Sequence, residues 1–181
     1  MLRVYITDLT AYNKGYLIGN WIDIPTSNLD AQIQKILSSG QSFCYFELGY
    51  TEDHEEYFIT DYEWNDISLF EIDEYHNIHK LNESLQLIEN HRTIDLKIIK
   101  FLLDNYFADS VEIAINMMDE VIIYENQTMV DIAYDFINEN YSHKEMPELL
   151  RNYIDYEKFA KDLELDGRFY KIENDIFEYI G

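Results

Sequence analysis

The sequence predicts an α+β protein: an elongated chain of three small units, an N-terminal α+β unit over 1–61, a central helical unit over 62–104 and a C-terminal α+β unit over 105–181. Three observations predict it. At 181 residues, with 47% hydrophobic and 15% aromatic content, the chain is long enough to bury about 70% of its unfolded surface and too apolar for a disordered acidic tail. Alternating apolar residues open and close the sequence, whereas from about residue 62 they recur every three or four positions. Only six Gly and two Pro occur, with no flexible linker, repeat or low-complexity segment, so the units are expected to pack as one elongated or curved body.

Val4-Tyr5-Ile6 alternates as a strand does, and 16–23 reads as a second extended segment entered through Gly15 and left at Pro25. Ser27-Asn28-Leu29-Asp30 has the form of a capping box. Leu29, Ile33, Ile36 and Leu37 then fit one face of a helix ended by Gly40. Strands are expected at 43–48 and 57–60. In the first, Cys44 shares a face with Phe46 and Leu48, which makes it a buried, inert hydrophobe. The central unit reads as helices over 67–75, 80–89 and 93–107, the last with Thr93 as N-cap and apolar residues on nearly every side. The C-terminal unit reads as a helix near 110–118, a strand Val121-Ile122-Ile123-Tyr124, helices near 128–139 and 156–165, and strands over 169–172 and 176–180, with Gly167 capping the last helix. Tyr5, Tyr45, Phe58 and Phe136 fall on apolar periodicities and belong to the expected core.

Charge is the strongest departure from an ordinary globular composition. Lys and Arg number 13 against 36 Asp and Glu, a formal charge of −23. Residues 1–46 are balanced, 47–79 hold eleven acids and no Lys or Arg, 80–100 hold four bases against three acids, and 101–143 hold nine acids and again no Lys or Arg. Bases return over 144–181, six against ten acids. Ordinary surfaces interleave both signs, and long base-free runs forgo the i,i+4 pairs that support helices, so these stretches are read as serving a partner. The candidate partner-binding carboxylates are Glu52, Asp53, Glu55, Glu56, Asp61, Glu63, Asp66, Glu71, Asp73 and Glu74 in the first, and Asp104, Asp109, Glu112, Asp119, Glu120, Glu125, Asp131, Asp135 and Glu139 in the second. On the helix near 128–139, Met129, Ile132, Ala133, Phe136 and Ile137 are expected to face the core. Asp131, Asp135 and Glu139 then recur along an exposed edge about 6 Å apart, the order of the phosphate spacing on one DNA strand.

The charge also excludes. Direct nucleic-acid binding and anionic membranes need the cations this chain lacks. No run approaches the ~20 apolar residues of a membrane span, and Met1-Leu2-Arg3 leads into alternation rather than a signal-peptide block, so a cytoplasmic protein is expected. The single Cys44 cannot form an internal disulfide, in keeping with a reducing compartment.

Searches for chemistry return little. His76 and His79, beside Asp73 and Glu74, would put two imidazoles and a carboxylate on one helix face, but no H-E-x-x-H occurs, and His54, His91 and His143 share no ligand spacing with them; surface histidines are the simpler reading. A calcium loop begun at Asp61 has Asp66 where Gly is required and Ile72 where a bidentate Glu is required. Neither G-x-x-x-x-G-K-[ST] nor G-x-G-x-x-G is present. No enzyme, metal or cofactor is expected. A folded polyanion with carboxylates spread over its surface suits the cleft of a DNA-binding enzyme: 23 charges match about 40 Å of duplex at one charge per ~1.7 Å.

Specific segments extend this reading. Ala11-Tyr12-Asn13-Lys14-Gly15 followed by Gly19-Asn20-Trp21-Ile22-Asp23, then Ile59-Thr60-Asp61-Tyr62-Glu63, then the run from Asn152-Tyr153-Ile154-Asp155-Tyr156-Glu157 through Phe159-Ala160-Lys161-Asp162-Leu163 closely resemble, in order along the chain, the ArdA antirestriction proteins, in the version carried on conjugative transposons. The resemblance implies a three-domain homodimer that mimics DNA, occupies the DNA site of the methyltransferase/specificity complex of type I restriction-modification enzymes, and protects an incoming mobile element. It brings no catalytic residues. Trp21, Tyr62, Tyr153 and Tyr156 are then read as structural or dimer-forming, the carboxylates named above take the phosphate-like role, and the dimer surface is expected in the third unit, where net charge is lowest. Two other readings stay open: an acidic module that inhibits or chaperones another basic nucleic-acid-binding protein, and a metal enzyme built on Asp73, His76 and His79.

Overall fold

A computed structural model of the chain describes residues 1–50, 52–91, 93–141 and 146–181. Its α+β architecture holds two small antiparallel sheets and eight helices among the described residues, and the chain divides into two compact units, Met1–Ile115 and Asn116–Gly181.

In the first unit, β1 (Leu2–Asp8) is the middle strand of a sheet ordered β2-β1-β3, with β2 spanning Gly19–Ile24 and β3 spanning Tyr57–Trp64. The alternation read from the sequence holds: Leu2, Val4 and Ile6 are buried, and Ile22, Ile24 and Ile59 join them from the flanking strands. Leu2 pairs with Ile24 on one side and Trp64 on the other, and the register against β3 shifts between Tyr5 and Ile6. A short α1 (Leu9–Asn13) follows β1, with Asp8 as its N-cap.

The long helix α2 (Leu29–Leu48) overturns two expectations. Gly40 does not end it, and there is no strand at 43–48. Ile33, Ile36, Leu37, Gly40 and Cys44 are buried and recur every three or four residues, so the helical period runs on through the glycine and stops at Gly49, which adopts φ +78° and donates to Tyr45 O. The aromatic run that imitated a strand lies on the outer side: Phe46 is 83% exposed, Tyr45 is exposed rather than core, and Leu48 is exposed too. Cys44 is buried, as expected, but on a helix rather than a strand, where Phe46 points away from it and only Leu48, one turn on, follows its face. The capping box at 27–30 is also absent. Asn28 holds the N-cap position, but its Oδ1 is taken by the Thr26 hydroxyl and by Gln32 Nε2, both at 2.7 Å.

No helix forms over 67–75. Leu69 and Ile72 are buried as isolated anchors, Phe70 meets Trp64 edge-on at 5.4 Å, and Asp73 Oδ1 accepts the Tyr75 N–H at 2.8 Å, a local turn that competes with helix. Helix α3 (Ile78–Asn90) begins instead after Asn77, whose Oδ1 accepts the His79 and Lys80 N–H groups. Helix α4 (Leu96–Asp104) is capped by Asp95, not Thr93, and buries Ile99, Phe101 and Leu102. Helix α5 (Val111–Asn116) replaces the longer helix expected at 110–118 and gives way to a 3-10 turn, Met118–Glu120.

The second unit carries a sheet ordered β4-β6-β5, from β4 (Val121–Tyr124), β5 (Phe169–Ile172) and β6 (Asp175–Tyr179). Helices α6 (Met129–Asn140), α7 (Glu148–Arg151) and α8 (Tyr156–Leu165) complete it, with Gly167 at φ +77° ending the last. Ala133, Ala160 and Leu163 form a core with Met129, Phe159 and Phe169 packed around it. Phe136, expected in the core, is exposed and rests against Phe159 at 5.7 Å. Tyr5 and Phe58 are half-buried.

Candidate functional site

The carboxylates singled out by the sequence occupy three kinds of backbone. Glu52, Asp53, Glu55 and Glu56 lie on the irregular segment leading into β3, Asp61 and Glu63 on β3 itself, and Asp66, Glu71, Asp73 and Glu74 on the irregular segment before α3. Asp104 ends α4, Asp109 precedes α5 and Glu112 lies in its first turn. In the second unit, Asp119 and Glu120 belong to the 3-10 turn, Glu125 follows β4, and Asp131, Asp135 and Glu139 share α6. Eighteen of these nineteen side chains are exposed; the other, Glu120, is half-buried and accepts the Tyr179 hydroxyl at 3.1 Å.

Their partners sort them. Glu52 pairs with Lys14, Glu63 lies 3.5 Å from Arg3, and Asp104 lies 3.1 Å from Lys100, so cations from outside the base-free stretches reach into them. Glu71 accepts the Tyr62 hydroxyl at 2.7 Å, a hydrogen bond that raises that phenol above its ordinary range. Asp73 receives the Tyr75 N–H and stands 3.1 Å from His76 Nδ1; the first of these, more than the second, holds its carboxyl below the ordinary value. Asp53, Glu55, Asp66, Asp109, Glu112, Asp119, Asp135 and Glu139 make no ion pair with a described residue. Glu56 and Glu74 line one surface hollow of the first unit, and Asp61, Asp73 and Glu74 line another.

Asp131 has a second role that the sequence reading missed. Its carboxylate accepts the Thr128 N–H at 2.8 Å and the Thr128 hydroxyl at 2.6 Å, while Thr128 Oγ1 accepts the Asp131 N–H, closing a capping box at the start of α6. The Thr128 hydroxyl first, then its backbone N–H, lowers the Asp131 pKa. The signal was legible as Thr-x-x-Asp ahead of an apolar period.

Two acids outside the candidate set are buried. Asp8, fully buried, accepts the Ala11 N–H at 2.9 Å, and its Oδ2 is hydrogen-bonded to His54 Nδ1 at 2.5 Å. A Cβ on Gly40 would overlap Asp8 Oδ2 and come within 3.2 Å of His54 Nδ1, which is why α2 carries glycine there. His54 Nε2 is buried without a hydrogen-bond partner among the described residues. Glu178 accepts the Tyr124 hydroxyl at 2.8 Å and lies 3.4 Å from Arg168; burial chiefly, and this bond next, push the Tyr124 phenol up strongly.

His76 and His79 are not two rungs of one helix. His76 lies before Asn77, and His79 Nε2 approaches the Tyr57 hydroxyl at 3.3 Å and Asp30 at 3.8 Å. Among the described residues no group of three or more His, Cys, Asp and Glu is arranged to hold a metal, and His143 lies outside the described residues.

With that geometry in hand, one comparison decides the family. The sequence pattern of the antirestriction protein (ArdA) matches residues 4–178, nearly the whole chain. The chain belongs to the ArdA antirestriction family. The family is one of antirestriction inhibitors, not of enzymes, and its description points to restriction-modification enzymes as targets. No curated protein matches the chain. Among the described residues of this ArdA chain, no helix is long and apolar enough to cross a membrane.

The aromatic residues of the motifs divide in use. Trp21 packs edge-on against Tyr5 at 5.4 Å with Arg3 over its ring at 5.0 Å, and Tyr156 meets Tyr134 at 5.3 Å. Tyr153, by contrast, is 82% exposed, beside exposed Leu149 and Leu150 on α7.

Proposed function

We propose that this ArdA chain is a DNA mimic that occupies the DNA-binding groove of the methyltransferase/specificity complex of type I restriction-modification enzymes and so shields an incoming mobile element in the cytoplasm. The observation that carries the proposal is that eighteen of the nineteen candidate carboxylates, all drawn from the two base-free stretches, are exposed. Exposed carboxylates offer the partner's Lys and Arg the charge that phosphates would, by the same electrostatics. The exposed Leu149, Leu150 and Tyr153 support a homodimer joined through the second unit, where bases also return. A dimer carries 46 charges, the equivalent of about 80 Å of duplex at ~1.7 Å per charge.

The test is a competition titration of a type I methyltransferase complex on labelled DNA at two salt concentrations. Stoichiometric displacement that weakens with salt is expected. If the chain binds while DNA stays in place, or does not bind, mimicry of that enzyme is wrong and an acidic module for another basic protein becomes the better reading.

A further inference from the structure

Strand β3 is the edge of its sheet, so alternate backbone groups along Tyr57–Trp64 point away from β1. Two hollows open along it, of about 650 and 800 Å³, and both are walled by Tyr12, Phe58, Ile59, Glu74 and Tyr75. No Lys or Arg lines either one. Tyr75 is 86% exposed, and Tyr12 is half exposed and fixed edge-on against Phe58 at 5.1 Å. Carboxylates line both hollows: Glu56 the first, Asp61 and Asp73 the second, and Glu74 the two together. The wall is therefore aromatic faces beside acceptors, next to an open strand edge.

We propose that this groove receives arginine side chains presented by an extended segment of the protein partner, a deepening that rests on the partner being the cation-rich protein proposed above. Guanidinium is the side-chain group that stacks on an aromatic face and offers a planar fork of N–H donors to carboxylates at once. A lysine ammonium gains the charge but not the stacking, an apolar segment would bury the carboxylates unpaired, and a nucleic acid would be repelled. The segment's own backbone can add to the β3 edge.

The test uses the full chain, isotopically labelled, titrated with N-acetyl-Gly-Arg-Gly-Arg-amide and its lysine counterpart at one ionic strength and followed by NMR. The expected result is that the largest amide shifts fall at Phe58–Tyr62 and Glu74–Tyr75, with the arginine peptide at least about threefold tighter than the lysine peptide. Tyr75→Ala, at an exposed ring, weakens binding at least about threefold, while the doubly substituted Glu157→Gln, Glu164→Gln chain, which loses two exposed acids outside the candidate set, stays within about twofold. Shifts spread evenly over all exposed carboxylates, or a Tyr75→Ala chain that binds as the original does, would overturn the receptor. DNA displacement run beside it separates the two ideas: peptide binding in the groove without displacement removes the mimic and keeps the receptor, whereas displacement with a silent groove does the reverse.

Discussion

Asp8 in the first unit and the α6 edge of Asp135 and Glu139 in the second hold the same chemical group in opposite settings. Asp8 is fully buried, caps α1, bonds His54 and dictates glycine at residue 40; Asp135 and Glu139 are exposed and make no ion pair with a described residue. Burial decides the difference, because a carboxylate removed from water must be matched by donors, whereas one left in water neither needs nor supplies much. In an acidic inhibitor this separates the carboxylates that make the fold from those free to face a partner. Asp131 lies between the two classes, exposed yet bonded into a cap.

The largest effect is expected at Asp8→Ala. Removing one partner of a buried pair leaves His54 and the Ala11 N–H unmatched, a loss of about 3–5 kcal/mol, read in a urea or thermal melt. A loss below about 1 kcal/mol would break the contrast. Gly40→Ala comes next. The gain of roughly 1 kcal/mol in helix propensity is outweighed by overlap with Asp8, so a net loss of about 1–3 kcal/mol is expected; a more stable alanine chain would show that α2 can shift. Third, neutralising Asp135 and Glu139 together leaves the melting temperature within a degree or two or raises it, since like charges at i,i+4 cost only about 0.2–0.5 kcal/mol. Inhibition should fall more for Asp131→Asn, Asp135→Asn and Glu139→Gln combined than for any one; equal effects would count against a distributed surface. Added salt should likewise raise the melting temperature of the unmodified chain, and a flat dependence would show that self-repulsion is slight.

The smallest effect concerns the intermediate case. The pKa of Asp131 is lowered in the folded chain by the Thr128 hydroxyl and N–H. A depressed folded value means that its stabilisation is complete above the unfolded pKa of ~3.9 and is lost as pH falls through the folded value. Carboxyl-detected NMR should show Thr128→Ala moving the Asp131 midpoint upward; an unchanged midpoint would remove the cap as the cause.

Much of the fold was legible because one period dominated each segment. The alternation of Leu2, Val4 and Ile6, the α6 positions Ile132, Ala133 and Ile137, and the closing strands of the second unit were all readable this way. The second half of α2 was not, because Phe43, Tyr45 and Phe46 look like a strand while the deciding positions, Gly40 and Cys44, look like a break and a filler. Over 67–75, Leu69 and Ile72 have helical spacing, yet Asp73 turns the backbone. Exposure of the acids followed from their number. The groove could not be read, since Tyr12 on α1, Phe58 on β3 and Tyr75 before α3 come from three separated segments that only the fold brings together.

The His54 contact has a consequence for recognition itself. Glu52, Asp53, Glu55 and Glu56 flank a residue whose ring is fastened to Asp8 beneath α2, and the Glu56 carbonyl takes the Leu9 N–H at 3.0 Å. Four carboxylates are thus carried on a segment moored at its middle and at its end. The conformational entropy of holding that backbone in one arrangement is surrendered when the chain folds, so in the proposed complex it is not lost on binding. A flexible acidic loop of the same composition would surrender it at the moment of binding, and would hold its target more weakly for the same charge.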